Sequence, residues 1–115
     1  MADEALALGK AKFEEVYPLK ASTEPTDFER IMYERLFGEI WQRPGLSTRD
    51  RRLMVIGVPA AQGNENILRL QLRSGIEKGD LVREDLDEVV IFLTQYVGYP
   101  LGTRIAAAVR EVAKA

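Results

Sequence analysis

A chain of 115 residues without a single cysteine or histidine excludes disulfides, thiol redox chemistry and the Cys/His sites that hold zinc. With 46% apolar and 30% charged residues it has the composition of one ordinary folded domain, and a formal charge of −2 gives no basic field for nucleic acid or anionic lipid. The acidic start, Met1-Ala2-Asp3-Glu4, is unlike the basic head of a signal peptide, and no apolar run nears the roughly 20 residues that cross a bilayer, so a cytoplasmic protein without membrane partners is expected.

Strand patterns are nearly absent and helix punctuation is frequent, so an all-α fold of about six helices is expected. The first helix runs from about Asp3 to Val16, with Leu6, Phe13 and Val16 near one face, and ends before Pro18. Residues 20–25 form a polar connector. Thr26-Asp27-Phe28-Glu29 has the capping-box spacing, with the Thr26 hydroxyl accepting from Glu29 N–H and the Glu29 carboxylate reaching back. Phe28, Ile31, Met32, Leu36 and Ile40 follow as one apolar stripe, which Gly38 interrupts and Arg43-Pro44-Gly45 ends.

Ser47 can cap a third helix, apolar at nearly every position from Leu53 to Ala61 and so expected to be buried on all sides. Pro59 predicts a kink or an early end near Val55 to Val58. Met32 and Met54 read as core fillers. A fourth helix is expected from about Glu65 to Lys78, with Gly79 as a left-handed cap. The fifth covers Arg83 to Val97, with Leu86, Val89, Val90, Leu93 and Val97 inward. After Gly98-Tyr99-Pro100 a last helix runs to about Lys114, its stripe being Leu101, Ile105, Ala108, Val109 and Val112. The chain reads as one domain, 1–115, with an N-terminal helix and connector (1–25) and a core (26–115). Apolar side chains beyond a single stripe, among them Phe37, Trp41, Phe92, Tyr96 and Tyr99, suggest burial against another copy.

Three segments carry a resemblance. Thr26-Asp27-Phe28 with Leu36-Phe37-Gly38-Glu39-Ile40-Trp41-Gln42-Arg43-Pro44-Gly45-Leu46 is similar to the γ-carboxymuconolactone decarboxylase family. So are Leu68-Arg69-Leu70-Gln71-Leu72-Arg73-Ser74-Gly75 with Gly79 and Arg83-Glu84-Asp85-Leu86, and Tyr96-Val97-Gly98-Tyr99-Pro100 resembles its hinge. The resemblance implies a ring-like hexamer, a trimer of dimers. It also implies a carboxy-lyase that decarboxylates a carboxylated enol-lactone in aromatic breakdown without a cofactor. It puts the family histidine on Gln71. In a sister branch of alkylhydroperoxidase-D-like proteins the redox set would fall on Arg52 (its Glu), Asn64 and Ile67 (its two Cys) and Gln71 (its His), so thiol peroxidase chemistry is excluded.

The chemistry must then use amides, carboxylates, phenols and guanidinium groups. Asn64, Ile67 or Leu68, and Gln71 recur at helical spacing and share a face. The Gln71 amide can hold a carbonyl, a carboxylate or a water but cannot act as a base; the plain alternative is a glutamine packed at a subunit seam. Glu39, beside Trp41 in sequence, would become a usable acid or base if buried against the indole, and would otherwise be a solvated glutamate. Tyr96 could donate to a developing enolate oxygen, or be a satisfied core tyrosine. Of Arg43, Arg51, Arg52, Arg69 and Arg73, one or two turned inward would clamp a carboxylated substrate, the rest being solvated or paired. The candidate catalytic set is Glu39, Gln71 and Tyr96, and the candidate substrate-binding set is Trp41, Arg43, Arg52, Asn64 and Arg69, with no cofactor and no metal. The leading reading is a cofactor-independent decarboxylase of a small carboxylated lactone or related carbonyl compound. The alternative is a non-catalytic oligomer that binds a small acid or partners an intact homologue.

Overall fold

The computed structural model describes residues 2–114, and they form six helices and no strand. These are α1 (Ala2–Val16), α2 (Asp27–Ile31, continuing as a π-helix over Met32–Ile40), α3 (Thr48–Gln62), α4 (Glu65–Glu77), α5 (Arg83–Val97) and α6 (Tyr99–Lys114). The all-α expectation holds, and no described helix is long and apolar enough to cross a membrane. The chain divides into two compact units between Thr48 and Arg49.

The first unit is a helical hairpin of α1 and α2. Its connector is tied down by two backbone donors: Ala21 N–H to Glu14 Oε2 at 2.8 Å, and Ser22 N–H to the Tyr33 hydroxyl at 2.8 Å. The capping box at Thr26 forms as its spacing dictates, with Glu29 N–H donating to Thr26 Oγ1 and Thr26 N–H to Glu29 Oε1. Such a cap stabilises a helix by about 1 kcal/mol.

Beyond Ile31 the hydrogen bonds lengthen to the i→i−5 pattern, as in Trp41 N–H to the Leu36 carbonyl at 2.8 Å. The helix passes through Gly38 and ends at Ile40, just before Arg43-Pro44-Gly45. It packs so closely on α1 that a Cβ at Gly9 would stand 1.7 Å from the Tyr33 carbonyl oxygen, so only glycine fits. The face pressed against α1 carries Tyr33, Phe37 and Trp41, all buried. Phe13 meets Tyr33 and Phe37 edge-on at 5.4 and 5.3 Å, and Trp41 stacks on Phe37 at 6.1 Å.

This reverses the expected inward face of α2. Phe28 is 81% exposed, and Ile31, Leu36 and Ile40 are exposed too. Two apolar faces compete on this helix, and the aromatic one wins because it is the one that meets Phe13 across the glycine contact.

The second unit, α3 to α6, is built around Ile56, Ala60, Leu68, Leu72, Leu81, Leu86, Ile105, Ala108, Val109 and Val112. Helix α6 packs on both α4 and α5. Each fully buried leucine or isoleucine here contributes roughly 1.5–3 kcal/mol over an exposed one. Helix α3 departs from expectation twice. Pro59 does not end it near Val55 to Val58, since the helix runs on to Gln62 with Pro59 inside it. The helix is also not buried all round, since Met54 and Val58 are exposed. Met54 is therefore not a core filler. Helix α4 ends as predicted at Gly79, whose φ of +81° suits glycine, and Leu81 N–H closes the turn onto the Gly75 carbonyl at 3.0 Å.

Candidate functional site

Two arginines three residues apart on α3 share one side of that helix and meet the α4–α5 connection. Arg49 takes the Asp85 carboxylate in a parallel fork, Nη1 to Oδ2 at 2.9 Å and Nη2 to Oδ1 at 3.1 Å. Its Nη1 also donates to the Asp80 carbonyl at 3.0 Å. The Arg49 hydrogen bonds hold the Asp85 carboxyl below the usual aspartate value, with the Val82 N–H adding to the effect, and Asp85 in turn raises the Arg49 guanidinium.

One turn on, Arg52 is wholly buried. Its Nε and Nη2 both donate to one oxygen of Asp80, Oδ2, at 3.3 and 3.0 Å. A guanidinium inside a protein needs such an anion, because burying an isolated charge costs several kcal/mol.

Helix α4 supplies the second buried polar group. Gln71 is 5% exposed, flanked by the buried Leu68, Leu72, Ser74 and Gly75. Gly75 lies one turn beyond Gln71 on the same face, and a Cβ there would stand 3.5 Å from Arg52 Cγ. The stem of Arg52 thus runs along the wall of α4 that bears Gln71. A buried guanidinium can bind an anion, and a buried amide can hold an oxygen on which charge develops.

The other candidates are placed elsewhere. Asn64 is the N-cap of α4, its side-chain oxygen accepting from Ile67 N–H at 3.2 Å, and Ile67 is exposed, so Leu68 is the neighbour that Gln71 shares a buried face with. Arg69 donates to Asn66 Oδ1 at 2.6 Å and pairs with Glu111 of α6 at 3.3 Å, which makes it a tether between α4 and α6. Tyr96 is 79% exposed, its ring against Phe92 at 5.3 Å, so it is not a core tyrosine. Glu39, Trp41 and Arg43 belong to the first unit. There Trp41 is buried, Arg43 is exposed, and the Glu39 side chain is 57% exposed with Arg35 Nη1 at 3.6 Å. Burial of Glu39 against the indole does not occur, because residues two apart on a helix point to different sides. Sequence reading missed Asp80 and the Arg49–Asp85 fork; the i,i+3 arginines were visible, but their partners lie about 30 residues away.

Between α3 and α5 lies an open cleft of about 390 Å³, floored by Leu53, Met54, Val89, Phe92 and Leu93, with Arg49 and Asp85 at its edge.

This chain belongs to the carboxymuconolactone decarboxylase family, whose profile matches residues 26–111. It is similar to the 4-carboxymuconolactone decarboxylase of Acinetobacter baylyi, 33% identical over 88 residues, which is 76% of this chain and 65% of that protein. It is also similar to the nitrosuccinic acid decarboxylase npaB of Metarhizium robertsii, 29% identical over 102 residues, 85% of this chain and 71% of that one. The chain thus spans a little under two thirds of the first relative. Both relatives carry decarboxylase names, which supports a decarboxylase-like function at the level of the family.

Proposed function

We propose that the protein is a cofactor-independent decarboxylase of a small diacid in which one carboxylate sits beside an electron-withdrawing group. The names of the two relatives support this choice: a carboxylated lactone and nitrosuccinic acid both pair a carboxylate with a group, lactone or nitro, that can take up an electron pair. The C–C bond to the carboxylate breaks, CO₂ leaves, and the pair moves onto an oxygen of the electron-withdrawing group. A proton then returns to carbon. The substrate is its own electron sink, so the protein needs only to anchor the acid, hold the developing oxyanion and admit a proton.

The observation that carries the reading is the buried Gln71 amide on the wall that Arg52 runs along. Gln71 N–H groups would hold the oxyanion, and Arg52 the carboxylate that stays on the product. Within the second unit, Tyr96 is assigned to proton delivery, with Asn64 and Arg69 shaping the approach. Assembly into a hexamer, a cytoplasmic location and a place in aromatic breakdown belong to the same reading. For assembly, the exposed Phe92, Tyr96 and Tyr99 are the supporting feature.

The test is CO₂ release from 4-carboxymuconolactone and from nitrosuccinic acid by the purified protein and by Gln71→Leu. Turnover of either acid that collapses in the variant supports the reading. Silence with both acids overturns it, and binding without turnover would make the protein a non-catalytic acid binder.

A further inference from the structure

We propose that the protein pairs with a second copy of itself through α5, about a two-fold axis beside Phe92. The Phe92 ring of each copy enters the α3–α5 cleft of the other, and Glu88 of each accepts a hydrogen bond from the Tyr96 hydroxyl of the other. The inference gives the assembly proposed above one definite contact and does not rest on the decarboxylase chemistry.

Helix α5 turns Leu86, Val89, Val90 and Leu93 to the core, yet its outer side is not polar. Phe92 is 63% and Tyr96 79% exposed, and their rings lie against each other at 5.3 Å. Across the cleft α3 adds Met54 and Val58, one turn apart and both exposed. Two adjacent helices thus carry one apolar patch, with Arg49, Asp85 and Glu88 at its edge. An apolar centre inside a polar rim is the anatomy of a protein contact surface.

The order of residues along α5 selects a second copy as the occupant. Glu88, Phe92 and Tyr96 are spaced by four and form one row on the helix. The aromatic ring stands at the centre, with a hydrogen-bond acceptor one turn before it and a donor one turn after. A two-fold axis reverses the direction of the helix, so Phe92 meets Phe92, and Glu88 meets Tyr96 twice. The patch is complementary to itself, as a two-fold contact requires. A hydroxyl donating to an ionised carboxylate is also among the stronger hydrogen bonds. A parallel pairing would instead set Glu88 against Glu88, with like charges opposed.

The cleft has room for the incoming ring. It holds about 390 Å³ over a floor that includes Leu53, Val89 and Leu93. Arg49 and Asp85, at its edge, already satisfy each other in a parallel fork, so they bring no unmatched charge into the contact.

The chain has no cysteine, so single introduced thiols report the register without background. A residue beside a two-fold axis meets its own copy, and a disulfide forms only where two Cα atoms come within about 7 Å. Phe92→Cys alone should therefore give a covalent dimer under mild oxidation. Glu88→Cys and Tyr96→Cys, when mixed, should link to each other and neither to itself. No link at Phe92→Cys overturns the inference, as do self-links of the other two variants. In solution Phe92→Glu should keep the helical circular dichroism of the wild type, since the side chain is exposed, while the mass by light scattering falls to half or less. An unchanged mass in Phe92→Glu overturns this contact and leaves the wider assembly standing. A wild-type protein with the mass of a single chain even when concentrated overturns both. Neither readout depends on turnover, so a failure to release CO₂ would count against the decarboxylase reading alone.

Discussion

Arg49 and Asp85 join the N-terminal ends of α3 and α5 through two parallel hydrogen bonds of 2.9 and 3.1 Å, and the same carboxylate accepts from Val82 N–H at 2.8 Å. One acidic side chain thus links two helices and caps one of them.

This has a pH consequence of definite sign. The Asp85 carboxyl is held below its ordinary value, chiefly by the Arg49 hydrogen bonds and then by the Val82 N–H. A group whose folded value is depressed contributes stability that is fully present above the unfolded value, about 3.9, and is lost as pH falls through the folded value. The raised Arg49 guanidinium works in the opposite range, its contribution fading only in strong alkali. The melting temperature of the wild-type protein should therefore drop between about pH 5 and pH 3 more than that of Asp85→Asn. Parallel curves would show that other carboxylates set the acid limit.

Gly9→Ala should destabilise the first unit by about 3 kcal/mol. The added methyl would stand 1.7 Å from the Tyr33 carbonyl oxygen, so the two helix backbones must separate and loosen the ring contacts of Phe13. Urea unfolding followed by circular dichroism checks it, and a loss under 1 kcal/mol would mean the hairpin adapts at little cost.

Arg52 and Asp80 should behave as one energetic unit. Arg52→Met and Asp80→Asn each remove one side of a buried ion pair, a change that costs about 3–5 kcal/mol. The double variant should lose clearly less than the sum of the two. Strict additivity in denaturant midpoints would show that the two side chains are not coupled.

Gln71→Leu should leave the fold intact, since leucine has nearly the same volume and its neighbours Leu68 and Leu72 are apolar. CO₂ release should fall by about 10²-fold or more, the usual effect of losing one oxyanion donor. A variant that folds and keeps full turnover would remove Gln71 from the chemistry.

Much of the architecture was legible because its signals are local. The boundaries of α5 and α6 follow from their stripes and from Gly98, and the residues expected inward, from Leu86 to Val97 and from Ile105 to Val112, are those that pack on the core. The capping box at Thr26 and the cap at Gly79 were readable for the same reason. What failed depends on partners distant in sequence. The α2 stripe was assigned inward because Phe28, Ile31, Leu36 and Ile40 are strongly apolar, yet the choice of face was made by Gly9 and Phe13 on another helix. Glu39 was linked to Trp41 by adjacency, although helical geometry sends the two apart. Arg52 was singled out, but its counter-ion Asp80 carries no periodic signal and follows only from the path of the α4–α5 turn.

The sole indole of the chain, Trp41, lies stacked on Phe37 in the N-terminal hairpin. Its emission is therefore a private reporter of that half, whereas far-ultraviolet ellipticity averages all six helices. Coincident denaturation curves from the two signals would mean that the halves melt as one cooperative body, and separated curves would reveal two transitions in a chain this short.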